Sequence, residues 1–171
     1  MRHDAQTLND AKQQAYRLLS YRSRSARELR DRLQQRGYGT SIIDEALRQL
    51  AAEGYVDDYK FALDWARYRL QARPMGRRRL AWELQQRGIE PESLEEVLRE
   101  VYVEFDEATL AEQAIHKRLR TRGALLSVRE RQQLARYLIG LGFEPDTIAA
   151  ALTVISPSMS PHDIALDDDA G

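Results

Sequence analysis

The chain has 171 residues, of which 43% are hydrophobic and 31% charged, and its formal net charge is −1. It contains no cysteine, which excludes disulfide frameworks, thiolate zinc sites and cysteine nucleophiles. No apolar run approaches the ~20 residues of a membrane span, and residues 1–9 lack the apolar core of a secretory signal. The composition therefore predicts a soluble cytoplasmic protein that is rich in helix.

The first part of the chain predicts two helices after a polar start. The first helix covers about 10–19 and carries its apolar residues on one side. The second helix continues to Arg36 and has its cap at Ser23 or Ser25. Either hydroxyl can accept a hydrogen bond from one of the first amides of a helix, which have no partner inside the helix itself.

A third helix follows, and Gly54 is its expected stop. Ser41 and Asp44 are spaced for a partial capping box at its start. Asp57 or Asp58 then caps a fourth helix. Further along, a break at 74–76 precedes helices over 77–87 and 91–102. Asp106 is the expected cap of the next helix, and Gly123 is its expected stop. Ser127, with Glu130 three residues on, caps the helix after that, and Pro145 begins the last helix.

A Leu-x3-Leu-x3-Gly step followed by a large apolar residue occurs three times. The copies are Leu29-Leu33-Gly37-Tyr38, Leu80-Leu84-Gly88-Ile89 and Leu134-Leu138-Gly142-Phe143. Glycine after a helix C-cap adopts a left-handed conformation without a Cβ penalty, so each step predicts a helix and a tight stop. Thr40, Pro91 and Pro145 then stand in one register, where a new helix with an apolar stripe begins. The sequence therefore predicts helical repeats of roughly 50 residues.

These patterns predict an all-α fold, an elongated tandem array of three three-helix repeats. The expected parts are a flexible N-terminus at 1–9, repeats at 10–56, 57–105 and 106–155, and a disordered acidic tail at 156–171. The segments around the first and second helices of each repeat are basic and rich in arginine, whereas the third helices and the connections between repeats are acidic. Stacked repeats would turn this alternation into charged stripes that steer a polymeric partner. The alternative is that both signs only solvate the helix exteriors.

Residues suited to catalysis or metal binding are scarce. The three histidines lie in a terminus, a basic helix and the tail, and none forms a convincing metal-binding face with another ligand. The chain has neither a phosphate-binding glycine loop nor a Gly-x-Ser-x-Gly elbow. The carboxylates lie on charged helical faces, where solvation is a simpler explanation than a catalytic pair. We therefore expect no enzyme activity, no metal and no cofactor.

Arg77, Arg78 and Arg79 form the densest cationic feature of the sequence. Three consecutive helical residues point about 100° apart, so they cannot all be buried, and cations at a helix start oppose the helix dipole. Trp65 and Trp82 lie beside arginine-rich stretches and are either core residues or anchors for a partner. The candidate partner-binding residues are Arg24, Arg27, Arg73, Arg77, Arg78, Arg79, Trp82, Arg120 and Arg122.

Several motifs resemble one known family in the expected order. The stretch Leu-Ala-Ala-Glu-Gly-Tyr-Val-Asp-Asp over 50–58, followed by Phe61-Ala62, is similar to the hallmark of the RecX regulatory proteins. The stretches 84–89 and 137–152 also resemble that family, and the match extends over roughly residues 15–155. The family has no catalytic residues to carry over.

The resemblance implies an all-α array that modulates, and mostly inhibits, the RecA recombinase. Such proteins lie along the groove of the RecA–DNA filament and restrain ATP hydrolysis, strand exchange and coprotease activity. The resemblance therefore implies a role in homologous recombination, DNA repair and the SOS response, and we expect a monomer. The alternative is a helical-repeat protein that contacts DNA weakly and non-specifically without RecA. Sequence-specific groove reading is disfavoured because Glu92, Glu95 and Glu96 make the following helix acidic.

Overall fold

The computed structural model describes residues 7–119 and 127–155 of the chain. Within these residues the secondary structure consists of nine α-helices without a strand, and the all-α helical-repeat fold predicted from the sequence is confirmed. The helices are α1 (Leu8–Tyr21), α2 (Ala26–Gln35), α3 (Thr40–Ala52), α4 (Asp58–Ala72), α5 (Arg77–Gln86), α6 (Pro91–Glu104), α7 (Glu107–Arg118), α8 (Val128–Gly140) and α9 (Pro145–Ile155). The predicted terminal segments at 1–9 and 156–171 lie mostly or wholly outside the described residues, as does the predicted stop at Gly123.

The repeated glycine step ends α2, α5 and α8 in the same way. Gly37, Gly88 and Gly142 have φ values of 88°, 80° and 83°, in the left-handed region that favours glycine. In each case the amide after the glycine donates to the carbonyl four residues before the glycine, as expected for this helix stop. These bonds run from Tyr38 to Leu33, from Ile89 to Leu84 and from Phe143 to Leu138, each 3.2 Å long. The predicted stop at Gly54 after α3 is also confirmed, with φ 77°.

Most of the predicted caps are confirmed. The accepting caps are Ser25 for α2, Asp57 for α4, Asp106 for α7 and Ser127 for α8. Thr7 caps α1, and the Asp10 carboxylate accepts from the Thr7 amide in return at 3.0 Å. Because Asp10 is the third residue of α1 and not its start, this helix begins two residues earlier than the expected position.

The predicted partial capping box at the start of α3 is wrong. Thr40 is already the first helical residue, in the same register as Pro91 and Pro145, so the cap is Gly39, which has no side chain to accept a hydrogen bond. The Asp44 carboxylate instead forms an ion pair with Arg30 of α2. The glycine cap leaves the first amides of α3 without a side-chain acceptor.

The chain divides into two compact units. Of the described residues, the first unit contains 7–67 and 83–97, and the second contains 68–82, 98–119 and 127–155. In the first unit α1, α2 and α3 pack on one another, and their core includes Leu29, Leu33, Ile43, Leu47 and Leu50. In the second unit α7, α8 and α9 pack in the same pairwise manner, and their buried residues include Leu110, Ile115, Leu138, Phe143 and Leu152. The predicted repeat boundaries at 56 and 105 stay a prediction.

Candidate protein-interaction surface

The N-terminus of α2 is held by residues from far along the chain. Ser25 is fully buried. Its hydroxyl accepts from the Glu28 amide at 3.2 Å and donates to the Arg87 carbonyl at 2.7 Å. The Ala26 amide donates to Asp58 Oδ1 at 2.7 Å. We call this set the first junction, and all of it lies in the first unit. The amides at the start of α2 therefore depend on a carboxylate from α4.

The N-terminus of α5 is held by the same arrangement in the second unit. The amide of Gly76, the cap of α5, donates to the Leu141 carbonyl at 2.9 Å. The Arg77 amide donates to Glu107 Oε1 at 2.8 Å. We call these four residues the second junction. The carboxylate at this helix start offsets the unfavourable position of the arginines, because anions are stabilising beside helix N-termini.

The two junctions use residues at equivalent positions. Asp58 and Glu107 are both the first residues of their helices, directly after an aspartate cap. The accepting carbonyls of Arg87 and Leu141 both come directly before a left-handed glycine. The donor differs, because the first junction uses a serine hydroxyl and the second uses a backbone amide. The sequence gives one signal for this arrangement, an acid after an acidic cap in both helices, and our interpretation of the sequence overlooked it.

Partial burial has the largest influence on the pKa of both junction carboxyls, Asp58 and Glu107. Desolvation raises the pKa of Asp58, and the hydrogen bond from the Ala26 amide offsets this only in part. Desolvation likewise raises the pKa of Glu107, against the bond from the Arg77 amide. Partial burial removes hydration from each carboxylate and disfavours its charged form, and the backbone hydrogen bond restores only part of that stabilisation.

The second junction brings one face of α5 beside the end of α8. Arg78, Arg79 and Trp82 line a shallow groove with Ile139 and Gly140, and Gly142 lies at its end; its volume is about 460 Å³. The groove lies entirely within the second unit, and we call it the α5–α8 groove. Arg79 Nη1 donates to the Gly140 carbonyl at 3.2 Å. Arg78 is exposed, and its Nε lies 3.8 Å from a Glu144 carboxylate oxygen.

The two tryptophans have different environments. Trp82 is 58% exposed, so the core interpretation is wrong for this residue and its side chain is available to a partner. Trp65 is half-buried, and the Arg87 guanidinium carbon lies 4.3 Å from its ring centroid. This cation–π contact lies beside the first junction and gives Trp65 a structural role.

The structure places the predicted binding residues at several locations. Arg78, Arg79 and Trp82 meet in the α5–α8 groove, and Arg77 is half-buried at the second junction. The remaining residues stand elsewhere: Arg24, which donates to the Leu18 carbonyl, Arg27, which packs over Gly88, and the exposed Arg73. Arg120 and Arg122 lie outside the described residues. Ile139 and Gly140 were not among the predicted residues, because the approach of α8 to α5 leaves no local signal in the sequence.

The described part of the chain contains neither a candidate membrane span nor a candidate metal cluster. Over 7–119 and 127–155, no helix is both long enough and apolar enough to cross a membrane. In the same residues, histidine, aspartate and glutamate side chains form no group of three or more that could hold a metal ion.

Family models and known sequences give a consistent result. A model described as RecX, first three-helix domain, matches residues 11–50, and one described as RecX, second three-helix domain, matches 57–98. A protein named Regulatory protein RecX from Caldanaerobacter subterraneus is 33% identical over 145 residues, which cover 85% of this chain and 70% of the relative. A protein of the same name from Halorhodospira halophila is 35% identical, with 80% and 83% covered.

Two solved structures share the fold. The crystal structure of RecX from Lactobacillus salivarius matches with a TM-score of 0.78 at 18% identity, and the match covers 86% of this chain and 96% of that one. A second structure, described as regulatory protein RecX, matches with a TM-score of 0.74 at 19% identity, with 85% and 72% covered.

Proposed function

The chain belongs to the RecX family of regulatory proteins, and from this premise we propose that it binds the groove of the RecA–DNA filament. It thereby modulates, and mostly inhibits, the recombinase, ATPase and coprotease activities of RecA in recombination, DNA repair and the SOS response. It acts in the cytoplasm as a monomer, by binding and not by catalysis, and it needs no cofactor.

The α5–α8 groove is the observation that supports this proposal and identifies the residues that would bind the partner. Exposed tryptophan and arginine are the side chains most enriched among the residues that dominate binding energies at protein interfaces. Trp82 offers a large apolar surface, and Arg78 and Arg79 beside it can form bidentate bonds with carboxylates of a partner. We therefore place the contact with RecA at this groove. Arg24, Arg27 and Arg73 contribute charge at other positions.

A repeat protein suits a periodic partner such as a filament. Several contacts of moderate strength on one chain reinforce each other, because each later contact forms at a high effective concentration once the first has formed. The two equivalent junctions give the chain a regular internal construction. Regulation by such a protein needs no catalytic group, since occupancy of the filament is sufficient.

The proposal is tested by the ATP hydrolysis of RecA on single-stranded DNA, titrated with the protein. We expect hydrolysis to fall at substoichiometric amounts of the wild-type protein. Replacing Arg78 and Arg79 by glutamate should raise the concentration needed for half-inhibition about ten-fold or more, since a lost hot-spot contact costs ~1.4 kcal/mol or more.

The matched control replaces two other exposed arginines, Arg32 and Arg129, by glutamate. This double variant carries the same change of charge, one residue lies in each unit, and neither lines the α5–α8 groove. It should inhibit RecA as the wild type does. Equal loss in both double variants would contradict the assignment of the groove, and no inhibition by the wild-type protein would contradict the proposed function.

The second candidate function is weak DNA binding without RecA, and Trp82 is the observation that favours it. An exposed aromatic ring flanked by arginines can stack on a base while the guanidinium groups contact phosphates. The nearly neutral net charge of −1 argues against strong binding of a polyanion. DNA contact therefore ranks second.

A further inference from the structure

The α5–α8 groove has an apolar part and a cationic part, and one kind of ligand can bind both. Trp82 is 58% exposed and Ile139 is 44% exposed, so the groove has an apolar part. The guanidinium groups of Arg78 and Arg79 stand beside it. A peptide that carries apolar side chains next to several carboxylates would satisfy both parts.

This chain contains such a peptide. Residues 163–169 read Asp-Ile-Ala-Leu-Asp-Asp-Asp, and they lie outside the described residues. We propose that this segment occupies the α5–α8 groove in its own chain, and that it competes there with a protein partner. Ile164 and Leu166 contact Trp82 and Ile139, and the three aspartates that follow pair with the arginines.

The reach of the chain allows this contact. Glu144, directly before α9, lies against Arg78, so α9 begins beside the groove. The helix has 11 residues and is therefore about 16 Å long at 1.5 Å per residue. Residues 156–163 connect Ile155 to Ile164 and span up to about 26 Å when extended at ~3.3 Å per residue. The connection is long enough to run back along the whole of α9.

The composition of the groove is particular to the second unit. When the leucine–glycine steps are aligned, Arg78, Arg79 and Trp82 correspond to Arg27, Glu28 and Asp31 of α2. The residues that correspond to Ile139 and Gly140 are Gln85 and Gln86. The surface of the first unit that corresponds to the α5–α8 groove is therefore polar and of mixed charge. The cationic and apolar version occurs in the unit that also contains α9, from which the acidic segment continues.

The absence of cysteine from the chain allows a direct test by disulfide formation. The full chain carries Ala165→Cys together with Gly140→Cys, a position where a Cβ atom meets nothing within 4 Å. The matched control pairs Ala165→Cys with Val128→Cys, which is 52% exposed at the opposite end of the same helix. A disulfide requires the two Cβ atoms to approach to about 4 Å, so its rate of formation reports where the segment resides.

We expect the disulfide to Cys at position 140 to form about ten-fold faster than the one to position 128, because binding in the groove raises the effective concentration there. Replacing Asp167, Asp168 and Asp169 by asparagine should remove the difference, and so should high salt. Equal rates for the two pairs in the unmodified segment would overturn the proposal. A difference that survives the asparagine substitutions would overturn the charge pairing on which it rests.

The competition with a partner rests on the proposed function, and RecA provides its readout. The Asp167→Asn, Asp168→Asn, Asp169→Asn chain should inhibit ATP hydrolysis at a several-fold lower concentration than the wild type. Unchanged inhibition would overturn the competition. If neither chain affects RecA while the disulfide rates differ, the proposed function fails and the contact within the chain stands.

Discussion

Gly140 and Gly142 stand two residues apart at the end of α8, yet the space around their α carbons differs. A Cβ atom on Gly142 would lie 2.4 Å from the backbone nitrogen of Arg79, and the residue has φ +83°. A Cβ atom on Gly140 would meet nothing within 4 Å. At position 142 both the backbone conformation and the contact with Arg79 require glycine, whereas at position 140 neither does.

We therefore predict opposite effects for the same substitution at these positions. Gly142→Ala should lower the free energy of unfolding by about 2 kcal/mol or more, since the left-handed conformation alone costs ~1–2 kcal/mol and the Arg79 backbone must also move. Gly140→Ala should raise it by up to about 0.5–1 kcal/mol, because alanine favours a helix over glycine. Urea denaturation of both variants measures the difference. Equal effects of the two substitutions would contradict both the left-handed conformation of Gly142 and its contact with Arg79.

At the scale of elements, the start of a helix was predictable where its cap is local, whereas the two junctions leave only one sequence signal, an acidic residue after an acidic cap. Ser25 and Ser127 cap the helices that directly follow them, so a few neighbouring residues are sufficient evidence. Asp58 entered the sequence analysis only as an alternative cap for α4. Its actual acceptor role is toward Ala26, 32 positions away, and the distance along the chain conceals such a contact.

The junction carboxyls predict a particular dependence of stability on pH. Burial raises the pKa of Asp58 and of Glu107, so the folded chain binds these protons more tightly than the unfolded chain. Their contribution to the free energy of unfolding is therefore fully present below the ordinary carboxyl pKa of about 4 and is lost as the pH rises through the folded-state values. Asp58→Asn and Glu107→Gln keep an acceptor oxygen and remove the buried charge. Both variants should gain stability relative to the wild type between pH 3.5 and pH 7.

Asp106→Asn is the control with the opposite sign. Hydrogen bonds from the side chain and amide of Thr109 lower the pKa of Asp106, so its contribution is present above the unfolded pKa and is lost as the pH falls. This variant should lose stability relative to the wild type over the same rise in pH. Urea midpoints at three or four pH values check both signs. Parallel curves for the junction variants and the wild type would contradict the burial of these carboxyls.

At the scale of the whole molecule, the sequence was sufficient for the fold and for only part of the candidate site. The helix stops repeat along the chain, and repetition is visible without a structure. Clustered cations were visible too, and Arg78 and Arg79 are exposed as expected. Their partners Ile139 and Gly140 come from a helix that begins some 50 positions later. That proximity depends on the packing of α8 in the second unit, which no local pattern records.

The nearly balanced charge of the whole chain leads to a prediction about DNA. With 26 basic and 27 acidic side chains, the long-range field should attract a polyanion only weakly. We expect low affinity for single-stranded DNA in the absence of RecA, falling as salt rises. If Arg78 and Arg79 contact phosphates, replacing both by glutamate should reduce the slope of log K against log salt by about 1.4, at ~0.7 per contact. The Arg32→Glu, Arg129→Glu chain has the same net charge and should retain the wild-type slope. Tight and sequence-selective binding by the wild type would reverse the order of the two candidate functions, because a groove that reads DNA directly would not need RecA.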